Sequence, residues 1–264
     1  MKPLSKFIFG ILVIPNLFMA CGPVLYSNLG HNVPLLQEKG EFSGQVAYSG
    51  SDGAWSASGI GIHGAYSISD NVALISSFYA MKGDELNDDD NDWEGSGSYF
   101  ELGGGLFGGD QLKMILYEAF AGIGIGGIQN QSLTNRAEFI NTRFLKPFIQ
   151  PSVAFSSRYF DVALTPRIAY LTYSSMDDFY FVQDSEQLNP REYFDRNNNR
   201  LLFEPGIMIR GGLPGIKLEI QYNHSTLGEP LSDYSLVNAN FISLGLRFLI
   251  SNRISQNKTL GFSK

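Results

Sequence analysis

The sequence predicts an all-β chain folded as a ten-stranded antiparallel up-and-down transmembrane β-barrel with short periplasmic turns and long extracellular loops. Three observations predict it. Hydropathy alternates with a period of two from residue 40 to residue 250, as expected for strands whose side chains point in turn to opposite faces. The alternating runs are roughly 10–15 residues long, above the 5–6 usual in globular sheets and enough for a tilted bilayer crossing of about 9–11 residues. Their connections are tight at one end and mostly long at the other, the asymmetry of a membrane barrel.

Ten runs meet this description, near 40–50, 55–67, 71–82, 98–108, 113–127, 144–156, 160–173, 201–212, 215–224 and 239–250. In 58–66, Ile60, Ile62, Gly64 and Tyr66 share one face, and Gly61, His63 and Ala65 the other. In 215–223, Ile216, Leu218, Ile220 and Tyr222 oppose Lys217, Glu219, Gln221 and Asn223. In 240–250, Ile242, Leu244, Leu246, Phe248 and Ile250 oppose Ser243, Gly245 and Arg247. The third run is ambiguous, because both of its faces are mostly apolar. Tight connections fall around Ser69-Asp70, Gly109-Asp110, Ser157-Arg158 and Gly212-Leu213-Pro214, and long ones at 83–97, 128–143, 174–200 and 225–238. Ser51-Asp52-Gly53 is a short exception on the long side. An even number of strands returns both ends of the barrel to the short-turn side.

Ahead of the barrel, residues 1–20 read as a secretory signal peptide. Lys2 and Lys6 precede the apolar Phe7–Ala20, a basic region followed by a short apolar one. A spanning helix requires about 20 apolar residues, and Pro15-Asn16 interrupts this run. Leu17-Phe18-Met19-Ala20-Cys21-Gly22 resembles a bacterial lipobox, from which Phe18 and Met19 depart. The resemblance implies cleavage before Cys21 and lipidation of its thiol. Residues 21–39, punctuated by Pro and Gly, are assigned to a periplasmic N-terminal linker with His31 in solvent. Residues 40–250 are the barrel and 251–264 a C-terminal tail.

Composition excludes several functions. The 264 residues are 13% aromatic and only 17% charged, the reverse of a disordered chain. One cysteine makes no internal disulfide, and no Cys/His cluster offers a zinc site. A net charge of −7 provides no footprint for nucleic acid. No cofactor is expected.

The polar faces carry Glu101, Glu118, Asp161, Glu204 and Glu219 together with Lys146, Arg167, Arg210, Lys217 and Arg247. If the apolar face meets lipid, these residues line the lumen. A ten-stranded bore is only slightly wider than an eight-stranded one, which side chains just fill. Bare charges there are costly, so the ten are expected to pair as a plug, with Glu118 and Glu219 each on a base. Gly103, Gly105, Gly122, Gly124, Gly126 and Gly245 make room for longer side chains opposite.

The pattern over roughly 40–250, including the final strand Phe241–Ile250 with Phe248 near its end, resembles the small outer-membrane β-barrel proteins of Gram-negative bacteria. The resemblance implies residence in the outer membrane, with the lipid bilayer as partner and a lipid anchor through Cys21. That fold carries adhesins, proteases, acyltransferases and narrow channels alike, so it does not fix the activity. The expected role is structural or surface-binding, with a plugged, charge-paired lumen. The alternatives are a barrel enzyme acting on peptide or lipid, and a narrow solute channel. No enzyme is expected. The histidines are His31, His63 and His224, there is no GxSxG, and His224 and Ser225, adjacent on a strand, point to opposite faces.

The loops supply the remaining candidates. Loop 83–97 holds seven carboxylates and no Lys or Arg. Asp88, Asp90, Asp92 and Glu94 recur at every second residue, a weak Ca²⁺ candidate, with Trp93 where an EF-hand loop requires glycine. The alternative is a solvated acidic loop. Loop 174–200 gathers Phe179, Tyr180, Phe181, Tyr193 and Phe194, which form either a contact for a surface ligand or protein or a cap on the barrel mouth.

Overall fold

Each of the ten alternating runs becomes a strand. The computed structural model describes residues 24–52, 56–85, 93–112, 114–179, 190–227 and 237–251. The barrel strands are β1 (Phe42–Asp52), β2 (Ser56–Ser67), β3 (Val72–Glu85), β4 (Trp93–Gly109), β5 (Ile115–Ser132), β6 (Phe139–Ser156), β7 (Phe160–Leu164 and Arg167–Phe179), β8 (Asn199–Glu204 and Gly206–Leu213), β9 (Ile216–His224 and Thr226–Leu227) and β10 (Asn240–Ile250). Sequence neighbours pair antiparallel, and β10 pairs with β1 from Ile250↔Phe42 to Asn240↔Asp52, so the sheet closes on itself. Several strands run further toward the long-loop rim than their hydropathy suggests. The 128–143 connection thereby contracts to 133–138.

Three strands are interrupted at matching heights. β7 breaks at Thr165-Pro166 and β8 at Pro205, where proline has no N–H for the ladder, and β9 breaks at Ser225. The gap is bridged by Thr165 N donating to Gly206 O at 2.9 Å and His224 N to Pro205 O at 3.0 Å. On the short-turn rim, Asp110 accepts hydrogen bonds from Ile115 N at 2.9 Å and Met114 N at 2.7 Å, closing the β4–β5 turn. The Ile115 amide foremost holds the Asp110 carboxyl below its ordinary range.

The ladder registers assemble the outward face into one belt. Leu145, Ile125, Phe100, Phe78, Ile62, Val46, Leu246 and Leu218 are successive cross-strand partners from β6 through β1 and β10 to β9. Each is between 37% and 60% exposed. An exposed apolar band of this continuity belongs in hydrocarbon, not water. The ambiguous β3 resolves with Leu74 and Phe78 outward and Ala73, Ile75, Ser77 and Tyr79 inward.

The inward face of β3 is apolar because the lumen contains more than strand side chains. Residues 24–36 run through it, buried without interruption. This stretch falls in the segment expected as a periplasmic linker, and it is instead an internal strap. It starts at the long-loop rim, where Tyr26–Ser27 forms a short parallel ladder with Val237–Asn238. It leaves at the short-turn rim, where Lys39 N reaches Asp70 Oδ1 at 3.2 Å. Val24, Leu25, Tyr26, Leu29 and Leu36 join inward Tyr79, Tyr99, Phe120, Phe144 and Phe148 in the main apolar cluster. The core of this protein therefore lies inside the barrel, around the strap.

Candidate functional site in the barrel lumen

A strap without regular structure brings unpaired backbone groups into a dry interior, and each must find a partner. Lumen side chains provide them. Gln221 acts as a one-residue ladder: His31 N donates to its Oε1 at 2.7 Å and its Nε2 donates to His31 O at 2.9 Å. Tyr79 OH donates to Gly30 O at 2.6 Å, Asn223 Nδ2 to Leu29 O at 3.3 Å and Gln150 Nε2 to Asn32 O at 2.8 Å. Asn130 Nδ2 donates to Val24 O at 3.0 Å, and Arg210 Nη2 to Val33 O. Leu36 N donates to Glu118 Oε1 at 3.0 Å. A Cβ on Gly30 would sit 2.8 Å from both Gln221 Oε1 and Tyr79 OH, so the strap needs glycine at this close approach.

All ten charged residues singled out in the sequence face the lumen, and eight of them form four pairs. Arg167 grips Glu101 with two hydrogen bonds, 2.6 and 3.3 Å, and both its Nε and Nη2 reach Gln150 Oε1. Its guanidinium lies 4.4 Å from the centre of the Phe148 ring. Lys146 stands 3.4 Å from Glu204 and 5.2 Å from the Tyr99 ring centre. Lys217 meets Asp161 at 2.8 Å, and Arg210 meets Glu219. Glu204 also accepts from Tyr26 OH at 2.6 Å, tying the strap to this network.

Glu118 and Arg247 are left over. The expectation that Glu118 pairs with a base is not met among the described residues, because its carboxylate caps the strap amide of Leu36 and its Oε2 has no hydrogen-bond partner among them. Arg247 donates to Ser43 Oγ at 2.7 Å and Gln45 Oε1 at 3.2 Å, and its Nη2 has no hydrogen-bond partner among the described residues. Glycine relieves crowding as expected at Gly124, where a Cβ would collide with the Tyr99 hydroxyl.

The histidines are engaged locally. His31 is buried, not solvated as expected, with Nδ1 2.9 Å from Thr165 O. His63 lies between Ser77 Oγ at 3.0 Å and Tyr79 OH at 2.9 Å. Since Tyr79 donates to Gly30 O, its oxygen is left to accept from His63 Nε2. His224 Nδ1 lies 2.9 Å from Asn240 Oδ1, while the buried Ser225 Oγ points to Glu204 Oε1 at 3.5 Å.

Of the Ca²⁺ candidates, Asp88, Asp90 and Asp92 lie outside the described residues, and Glu94 is an exposed β4 residue paired with Asp84. Cys21 and residues 1–20 also lie outside them, as do Tyr180 and Phe181. The aromatic loop contains a helix, α1 (Pro190–Asn197). Phe194 packs on Tyr173, with ring centres 5.7 Å apart, and Arg191 holds Asp178 at 2.8 Å. Phe194 thus folds down onto the barrel, whereas Phe179 is 47% exposed.

No family model matches the chain, and no curated protein matches it. Solved structures do. The outer membrane protease OmpT of Escherichia coli shares 12% identity with it over 80% of this chain and 94% of that one, at a TM-score of 0.45. The translocator domain of the autotransporter NalP of Neisseria meningitidis shares 9% identity, covering 80% of this chain and 87% of that one, at 0.46. The outer membrane protein Ail of Yersinia pestis shares 14%, covering 80% of this chain and all (100%) of that one, at 0.34.

Proposed function

We propose that this protein is an integral outer-membrane barrel whose lumen is closed by its own N-terminal strap, serving a structural or surface-binding role rather than catalysis or solute passage. The uninterrupted burial of residues 24–36 inside a closed ring of strands carries the reading. The short-turn rim faces the periplasm, as is usual for such barrels, so the opposite rim, from which the 83–97 and 174–200 connections leave, faces outward and is the side offered to a ligand or protein. Purified protein in planar bilayers is expected to give no steady conductance. Deletion of residues 24–36, where the barrel still folds, is expected to give stable openings. Steady conductance by the intact protein would refute the closed lumen.

The reading includes lipidation at Cys21. Cys21→Ala is expected to abolish labelling by radioactive palmitate and to leave the barrel in the membrane fraction. Undiminished labelling would refute the site.

A further inference from the structure

Below the strap, at the short-turn mouth, the lumen opens into a cavity of about 830 Å³. Among the described residues, its ionisable wall consists of Arg158, Asp161, Arg210, Lys217 and Arg247, four cations and one acid. Two of the cations are neutralised: Lys217 by Asp161 and Arg210 by Glu219. Arg158 is exposed at the rim, 5.4 Å from the centre of the Tyr159 ring. Arg247 is only 4% exposed, is held by the neutral Ser43 and Gln45, and has an Nη2 that bonds to nothing among the described residues. The unpaired acid Glu118 is not part of this wall.

A buried guanidinium with an unused donor costs stability unless an acceptor completes it. Arg247 is fixed at two of its three nitrogens, which leaves the third pre-oriented for an oxyanion. The rest of the wall is largely apolar, with Leu35, Met114, Leu213 and Leu249 among its residues. We propose that this mouth cavity binds an amphiphilic oxyanion. Its phosphate or carboxylate is held by the Arg247 guanidinium in the field of Lys217 and Arg158, and its apolar body lies against the leucines. The same chemistry is offered by a soluble alkyl phosphate and by an anionic phospholipid at the periplasmic leaflet.

The test is calorimetric titration of the full-length protein in a non-ionic maltoside detergent. The probes are hexyl phosphate, hexanol, inorganic phosphate and dihexanoyl phosphatidylglycerol. Hexyl phosphate is expected to bind saturably at one site, with hexanol far weaker. Arg247→Gln should weaken binding about tenfold or more, the scale of one charged hydrogen bond. Arg158→Gln, at an exposed position that cannot unfold the barrel, should weaken it severalfold and flatten its salt dependence. Phosphatidylglycerol that competes with hexyl phosphate identifies a membrane lipid as the source. Failure to compete identifies a soluble anion. The proposal is overturned if hexanol binds as tightly as hexyl phosphate, if no anionic amphiphile binds saturably, if only inorganic phosphate binds, or if both arginine variants bind like the wild type.

Discussion

Gln221 is the residue through which the fixation of the strap can be weighed. Its amide satisfies both the N–H and the C=O of His31, at 2.7 and 2.9 Å, in the buried lumen. Gln221→Leu keeps comparable bulk and removes both partners. Each orphaned buried group costs about 1–3 kcal/mol, so the pair costs about 2–6 kcal/mol. The barrel ladders are untouched by this change, because β9 bonds its neighbours through main-chain groups. The loss should therefore fall on local opening of the strap rather than on global unfolding. At about 1.4 kcal/mol per tenfold, strap opening should rise by at least roughly thirtyfold. Hydrogen–deuterium exchange on peptides covering 24–36 reads this directly, with β9 and β10 peptides as internal controls. Ile220→Ala, one residue away and 53% exposed on the outer face, should leave strap exchange unchanged. Equal protection of the strap in Gln221→Leu and wild type would refute the account of how it is held. Equal loss in β10 would mean that strap and barrel open as one unit.

Two further outcomes follow from the same geometry. Leu244 is 58% exposed on the belt and Ser243 is 6% exposed inside, so Leu244→Arg should cost about 2–4 kcal/mol near the bilayer midplane and depress assembly, whereas Ser243→Ala should not; comparable heat-modifiable band yields for the two would refute the outward assignment. Arg167→Met strands Glu101 in the lumen and should destabilise by about 3–5 kcal/mol, with part of the loss restored by adding Glu101→Gln; urea midpoints that do not separate single from double variant would remove this pair from the stability account.

The barrel was legible because its signal repeats. Ten alternating runs, each long enough to cross a bilayer, state the strand number, and the placement of Gly109-Asp110 against the acidic 83–97 stretch states which rim carries the turns. The inward and outward assignment of Glu219, Gln221, Ile220 and Leu244 follows from parity alone. Strand ends were less legible. β4 extends back to Trp93 and β5 forward to Ser132, where Gly95, Gly97, Gly126 and Gly127 leave no alternation to read. Such glycine-rich ends are held by main-chain pairing, such as Gly97↔Ile128, which hydropathy does not record.

The strap was not legible as such, and the reason is physical. Residues 24–36 have no period, because apart from the two-residue ladder at Tyr26–Ser27 no neighbouring strand sets one. Beyond the Tyr26–Ser27 ladder, backbone groups along the strap are met by scattered side chains, from Asn130 at one rim to Glu118 near the other. Pro, Gly and Asn in such a stretch imitate a solvated linker. The signal that could have revealed it lay in the strands: Gln150, Gln221 and Asn223 occupy inward positions and bond the strap backbone, where a plug made only of ion pairs has less use for neutral amides. Amides that donate and accept at once are what an irregular buried chain requires. The same reasoning accounts for the two charges that do not pair. Glu118 is drawn onto the amide of Leu36, and the five-to-five balance of charges then leaves one cation over. That cation is Arg247, in the wall of the mouth cavity that the end of the strap also lines.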